Sequence, residues 1–211
     1  MVAWRPGRDG RLMTTRTTEC HDVRAAASAP PFRPRRIRAE TTALGVPPAW
    51  VAAALERAEL SFVTQVVRDG GIGPWREALT DRFRGARGAA AESRLSRTDT
   101  AALVVALADR LVRDRCWLQV EEDRHPEWVG LWRHLAGHAL PPYRAEPMFL
   151  LAWSAWRTGD AALARAAVTA VRAADGSHHP AAMLDAMLTA RLAPDDLPSL
   201  AGRDRTARGT P

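Results

Sequence analysis

Residues 150–165 read LLAWSAWRTGDAALAR, and this stretch decides the fold. The segment from Met148 to Arg157 is apolar almost all round, which is typical of a helix in the middle of a core. Gly159 favours the end of one helix and Asp160 the start of the next, so the pair predicts a tight helix–helix turn. The face of the second helix that would pack on the first is small and apolar: Leu163, Ala164, Ala167, Val168 and Val171. The stretch therefore predicts a helical hairpin.

Proline and helical periodicity predict further helices on both sides of the hairpin. Pro126 stands at a helix-start position. The apolar residues that follow it are spaced i, i+3, i+4 and i+7, the clearest amphipathic pattern in the chain: Trp128, Leu131, Trp132 and Leu135. Pro147 begins the first helix of the hairpin. Pro180 precedes a last helix with Met183, Leu184, Met187, Leu188 and Leu192. No alternating strand pattern of useful length occurs, so we predict an all-α bundle with a C-terminal module at residues 98–200.

The preceding segment, residues 47–97, is predicted to be a helical flank followed by a loop. Pro47-Pro48 begin a helix that runs to about Asp69, with a face of Val51, Leu55, Ala58, Phe62 and Val66. A shorter helix runs from Pro74 to about Arg84, and Gly85 to Arg97 form a loop. Thr98 or Asp99 caps the next helix. The expected buried stripe of that helix is Leu103, Ala106, Leu107 and Leu111.

The two ends of the chain lack a helical or strand period. Residues 1–46 are rich in proline and arginine, which predicts an irregular or disordered basic segment. The polar tail at 201–211 is expected to be frayed. No signal peptide is visible after Met1, and the apolar run from Met148 to Trp153 is too short to cross a bilayer. We therefore expect a cytoplasmic protein without a membrane partner.

The basic composition has two interpretations. All 30 basic residues are arginine, the net charge is +6, and lysine and asparagine are absent. A GC-rich genome produces this usage, so the pI of about 10.9 is in the first interpretation a compositional background. In the second, an arginine cluster forms a surface for polyanions. The candidate nucleic-acid contacts are Arg33, Arg35, Arg36 and Arg38, with Trp50 and Trp75 as exposed aromatic neighbours.

The hairpin stretch also carries a family resemblance. It is similar to the C-terminal part of the actinobacterial domain of unknown function (DUF) family 4192, whose pattern there reads LLA-x-x-AW-x-x-GD-x-x-LA. Further matching motifs are Val112-Arg113-Asp114, Leu131-Trp132-Arg133, Pro141-Pro142-Tyr143, Ala173-Ala174-Asp175 and Ala182-Met183-Leu184-Asp185. The resemblance implies a fold for about half the chain and no mechanism. Members of the family carry a larger N-terminal domain with strands, so we expect that domain either to be missing here or to be encoded upstream of Met1.

The same hairpin resembles a tetratricopeptide unit, because an aromatic-rich helix, a Gly-Asp turn and an alanine-rich helix follow one another. Only one such unit is visible in the sequence. A solenoid needs about three repeats to bury a continuous core. We therefore predict TPR-like packing of one hairpin rather than a repeat array.

Candidate catalytic groups are few. His134 and His138 lie four residues apart on one predicted helix and are therefore neighbours on its surface. Nearby in the sequence are Glu121, Glu122, Asp123 and His125, so a zinc or iron site and a structural pair are both open interpretations. We favour the structural reading, because the spacing lacks the glutamate of HExxH. At the start of the last helix, Ser177 or His179 is the expected cap. Cys116, flanked by tryptophan and leucine, is expected to be a buried and inert thiol.

The sequence contains no nucleophile motif and no phosphate-binding loop, so no catalytic, cofactor or metal residue is predicted. Whether the protein is an enzyme stays open, and we favour a protein without enzymatic activity. The function that we predict is a helical module that mediates protein–protein interaction. The alternative is a basic accessory protein that associates with nucleic acid through Arg33, Arg35, Arg36 and Arg38.

Overall fold

The computed structural model describes residues 47–91, 94–123 and 126–197, and within these ranges the chain forms helices and no strand. The helices are α1 (Trp50–Arg68), α2 (Ile72–Ala91), α3 (Arg97–Ala106), α4 (Arg110–Asp123), α5 (Glu127–Gly137), α6 (Ala145–Arg157), α7 (Ala161–Ala174) and α8 (His179–Thr189). A short 3-10 helix follows at Pro194–Asp196. The all-α prediction is confirmed. None of the described helices is long and apolar enough to span a bilayer.

Helix α6 lies at the centre of the bundle, as its composition predicts. Every residue of α6 except Glu146 is buried. Its main neighbours are α5 on one side and α7 on the other, while α1 packs on α3, α2 on α5 and α8 on α7. The four apolar residues predicted for α5 are all buried, and the Trp128 and Trp132 rings stack with their centroids 5.5 Å apart. Aromatic stacking on α5 is therefore part of the core of the bundle.

The turn between α6 and α7 has the predicted geometry. Gly159 has φ +87°, a left-handed conformation that glycine adopts without a steric penalty. Its amide donates to the Trp156 carbonyl at 3.0 Å, and the Asp160 amide donates to the Ala155 carbonyl at 2.8 Å, which together form a Schellman turn. The Asp160 carboxylate accepts from the Leu163 amide at 2.9 Å. The hairpin is present, while its likeness to a tetratricopeptide unit stays a prediction.

Helix α2 is longer than the sequence predicts. It begins at Ile72 and continues through Gly85 and Gly88 to Ala91, where the sequence predicts a loop. The helical pattern of burial continues past the predicted end, because Ala86, three residues after the buried Phe83, is also in the core. Arg87, one residue later, contacts Asp123 at the end of α4 and Glu127 at the start of α5. These tertiary contacts outweigh the low helix propensity of glycine, about 1 kcal/mol for each residue.

The start of α3 and the break before α4 also correct the predictions. Ser96, rather than Thr98 or Asp99, caps α3 by accepting from the Asp99 amide at 3.0 Å. The chain then leaves the helix at Leu107, and the Asp109 carboxylate caps α4 by accepting from the Leu111 amide at 2.9 Å. Because a new helix begins here, Leu111 lies on its outer face, 53% exposed, and the prediction that it is buried is wrong.

A buried ion pair connects α4 to α6. The Glu121 Oε1 atom accepts from Arg157 Nε at 2.6 Å and from Trp153 Nε1 at 2.7 Å, and Arg157 Nη2 donates to Glu121 Oε2. The side chains of Arg157 and Glu121 are 1% and 0% exposed. Arg157 Nη1 also donates to the Pro194 carbonyl at 2.5 Å. The pair therefore joins α4, α6 and the segment after α8.

Candidate interaction surface

Helix α1 carries an apolar stripe that faces solvent. Leu60 is 80% exposed, Val63 66% and Val67 73%. The three residues are spaced i, i+3 and i+7, so they lie along one face of the helix. We call this set the α1 stripe. The opposite face of α1 is buried as predicted, through Val51, Leu55, Ala58 and Phe62, while Val66 is half-buried.

The surroundings of the α1 stripe are polar. Glu56, Arg57, Thr64 and Arg68 are exposed on the same helix. An apolar centre with a polar rim is typical of protein–protein contact patches. The i, i+3, i+7 spacing is also the spacing of a coiled-coil seam, in which each side chain inserts between residues of a facing helix. The stripe is not among the features predicted from the sequence, although its three residues show the helical period when they are read alone.

His134 and His138, the candidate metal pair, lie in a cluster that links three helices. The His134 Nε2 atom is 3.0 Å from Thr100 Oγ1 on α3. The His138 Nδ1 atom is 2.7 Å from the His134 carbonyl, which can only accept, so Nδ1 carries the proton. The His138 ring stacks on Trp50 of α1 at 5.3 Å. Among the described residues no group of three or more potential metal ligands occurs.

Burial and a neighbouring charge both act on His134. Burial lowers the pKa of His134, and the nearby His138 lowers it further by repulsion between the two protonated rings. Their ring centroids are 4.5 Å apart. Both effects disfavour the protonated form of His134. The contacts describe a pair that packs α5 against α1 and α3.

His178 replaces the predicted caps of α8. Its Nδ1 atom accepts from the Ala181 amide at 3.1 Å, so Nε2 carries the proton and donates to Glu146 Oε2 at 3.1 Å. Arg113 Nη1 donates to the same oxygen at 3.0 Å. Burial would raise the pKa of Glu146, but the hydrogen bond from His178 and the charge of Arg113 lower it overall. The expectation of Ser177 or His179 as cap is wrong, because His178 has Glu146 to orient its ring.

Cys116 is completely buried, as predicted. Burial raises the pKa of its thiol well above the ordinary value, because the thiolate would lose its hydration. Trp117 beside it packs edge-on against Phe149 at 4.9 Å. Thiolate is the reactive form of cysteine, so the surroundings of Cys116 disfavour nucleophilic chemistry.

The candidate nucleic-acid contacts Arg33, Arg35, Arg36 and Arg38 lie outside the described residues. Of their expected aromatic neighbours, Trp75 is only 3% exposed and packs edge-on against Phe62 at 4.9 Å, so the prediction that it is exposed is wrong. Trp50 is half-buried. The described ranges contain seventeen arginines and eighteen acidic residues, whereas residues 1–46 contain nine arginines and four acidic residues. The basic excess of the chain therefore lies outside the described helices.

The bundle and its solvent-facing stripe define an all-α domain. Comparison with known proteins gives the family: the model of the domain of unknown function DUF4192 matches residues 2–195. The chain belongs to this family. The match includes the N-terminal half as well as the C-terminal module whose motifs carry the resemblance. No curated protein and no solved structure matches the chain.

Proposed function

We propose that this protein is a non-enzymatic helical module that binds a partner protein along the α1 stripe. The observation that carries the proposal is the exposure of three large aliphatic side chains, Leu60, Val63 and Val67, on one face of one helix. The occupant that fits this face is an amphipathic helix of the partner, because its apolar residues recur at the same period as those of α1.

The energy available at the stripe supports binding. Burial of an exposed aliphatic side chain contributes about 1.5–3 kcal/mol, so three of them contribute about 4.5–9 kcal/mol before the costs of association. The rim provides both signs of charge through Glu56, Arg57 and Arg68. Such charges set the orientation of the partner more than they raise affinity. A transient interaction with one partner helix is consistent with these magnitudes.

Site-specific photocrosslinking in cells tests the proposal. A photoreactive residue is placed at Val63, and as a matched control at Ala78, which is exposed on α2. We expect a discrete adduct from position 63 and none from position 78. In a Leu60→Glu/Val67→Glu background the adduct should disappear, while the far-ultraviolet circular dichroism stays unchanged. An adduct that persists in this background would contradict the proposal, and so would the absence of an adduct at position 63. An adduct of two identical chains would identify a second copy of this protein as the occupant.

Association with nucleic acid is the second candidate, and the concentration of basic charge in residues 1–46 favours it. Each phosphate contact releases counterions, so binding should weaken steeply with ionic strength. The experiment measures binding of the full chain to a 30-base DNA duplex between 50 and 200 mM salt. A variant with Arg33, Arg35, Arg36 and Arg38 changed to glutamine should show a smaller salt slope. Absence of binding at 50 mM salt would remove this candidate.

A further inference from the structure

A cleft of about 320 Å³ lies between the α6–α7 turn and the chain that leaves α8. Its walls are mainly apolar and include Trp156, Leu188, Leu192 and Pro194. Trp156 is fixed in place, because its Nε1 atom donates to the Leu192 carbonyl at 3.2 Å. Small-molecule sites have volumes of about 300–1,000 Å³ and apolar walls with a few polar groups, so the cleft is at the lower end of this range.

The charged residues that line the cleft are both arginines, Arg165 and Arg191. One nitrogen of Arg165, Nη2, donates to the Leu188 carbonyl at 2.6 Å and thereby holds the guanidinium group. A guanidinium group has five N–H donors, so donors of Arg165 remain for a further acceptor. Among the described residues that line the cleft, none is acidic. Charge complementarity therefore favours an anion.

Arg191 has a left-handed backbone conformation, which glycine adopts more readily than other residues. Its φ is +57°, and it follows the last residues of α8. The Arg191 amide donates to the Leu188 carbonyl at 3.3 Å and the Leu192 amide to the Met187 carbonyl at 3.1 Å, which is the Schellman pattern. A side chain in this conformation costs conformational energy, and Arg191 is the second arginine among the residues that line the cleft.

We propose that the cleft binds a small organic monocarboxylate with an apolar body. The carboxylate contacts Arg165 and Arg191, and the apolar body packs against Leu188, Leu192 and the edge of Trp156. Arginine suits this task, because its planar N–H groups match the two oxygens of a carboxylate. The site is separate from the α1 stripe in residue composition, so binding here does not depend on the proposed protein interaction.

The test uses the full chain and two fluorinated probes observed by ¹⁹F NMR. The first is 4-fluorophenylacetate, and the matched neutral probe is 4-fluorophenylacetamide. We expect a saturable change of the carboxylate signal at millimolar or lower concentration. The amide should bind at least tenfold more weakly, because it lacks the charge that the two arginines recognise.

Three variants locate the binding site. Arg191→Gly keeps a residue that suits the left-handed turn, and Arg165→Gln removes the second charge. Each should raise the dissociation constant of 4-fluorophenylacetate about tenfold. Arg172→Gln is the control, because Arg172 is exposed on α7 outside the cleft and pairs with Asp185. It should bind like the wild type. The proposal is overturned if the carboxylate shows no saturable binding, if the amide binds equally well, or if Arg191→Gly binds like the wild type.

Discussion

Replacement of Glu121 by glutamine should destabilise the protein more than any change at a surface ion pair. Glutamine has nearly the same shape as glutamate, so E121Q creates no cavity and removes mainly the charge. It leaves the Arg157 guanidinium 1% exposed and without its carboxylate partner. It also weakens the acceptor of the Trp153 indole, which now lies 2.7 Å from Glu121 Oε1. The loss of stability in E121Q therefore measures how much the stability of the fold depends on a counter-charge for the buried Arg157.

The magnitude follows from the burial of the pair. Removal of one partner of a buried ion pair costs about 3–5 kcal/mol, because the remaining charge has neither water nor a counter-charge. Single domains have a total stability of about 5–15 kcal/mol, so E121Q should lie close to the limit of folding. Asp185 and Arg172 form the matched exposed pair, with side chains 41% and 51% exposed. The D185N control should cost at most about 1 kcal/mol.

Urea denaturation followed by tryptophan fluorescence and circular dichroism measures both variants. With a slope of about 1–3 kcal/mol/M, the midpoint of E121Q should fall by about 2 M, and that of D185N by less than about 0.5 M. A third variant, Glu121→Leu/Arg157→Met, should recover part of the loss, since an apolar pair has no charge to desolvate. The recovery should be incomplete, because the Trp153 indole loses its acceptor and the Pro194 carbonyl loses its donor. If E121Q and D185N lose equal amounts of stability, the reasoning about burial is refuted.

Three further predictions concern other residues. Folding lowers the pKa of His134, so the unfolded chain binds the proton more readily. The free energy of unfolding should therefore fall as the pH drops below about 6.5, and it should fall less steeply in H134Q. Urea midpoints at pH 7.5 and 5.5 measure the difference. Arg191→Gly should raise the free energy of unfolding by about 0.5–1 kcal/mol, because glycine adopts the left-handed φ of residue 191 with less strain; a loss of stability would contradict the assigned strain. Cys20 is the second cysteine of the chain and is replaced by serine so that only Cys116 can react. In this background Cys116 should not react with a thiol reagent until the protein is unfolded, and fast reaction of the native protein would contradict its burial.

The candidate surface shows where the sequence alone was insufficient. Helix α1 has two apolar stripes, one through Val51, Leu55 and Phe62, and the other through Leu60 and Val67. Periodicity identifies both, and the longer one was correctly predicted to be buried. The shorter stripe faces solvent because the helices that pack against α1, which are α3 and α2, contact its other face. The cleft was not predictable, because the packing of α6, α7 and α8 brings its lining residues together.

The sequence by itself determined the helical class, the central position of α6, the buried face of α5 and the turn at Gly159-Asp160. These features depend on local periodicity and on capping groups within a few residues of each other. Such local patterns are present in the sequence whatever the tertiary contacts are. Only the tertiary structure decided the end of α2, the cap at His178 and the Glu121–Arg157 pair. In each case the deciding partner is distant in the chain: Arg87 meets Asp123, His178 meets Glu146 and Arg157 meets Glu121. Contacts between distant residues override local propensity, because burial and charge pairing act on whichever groups the fold brings together.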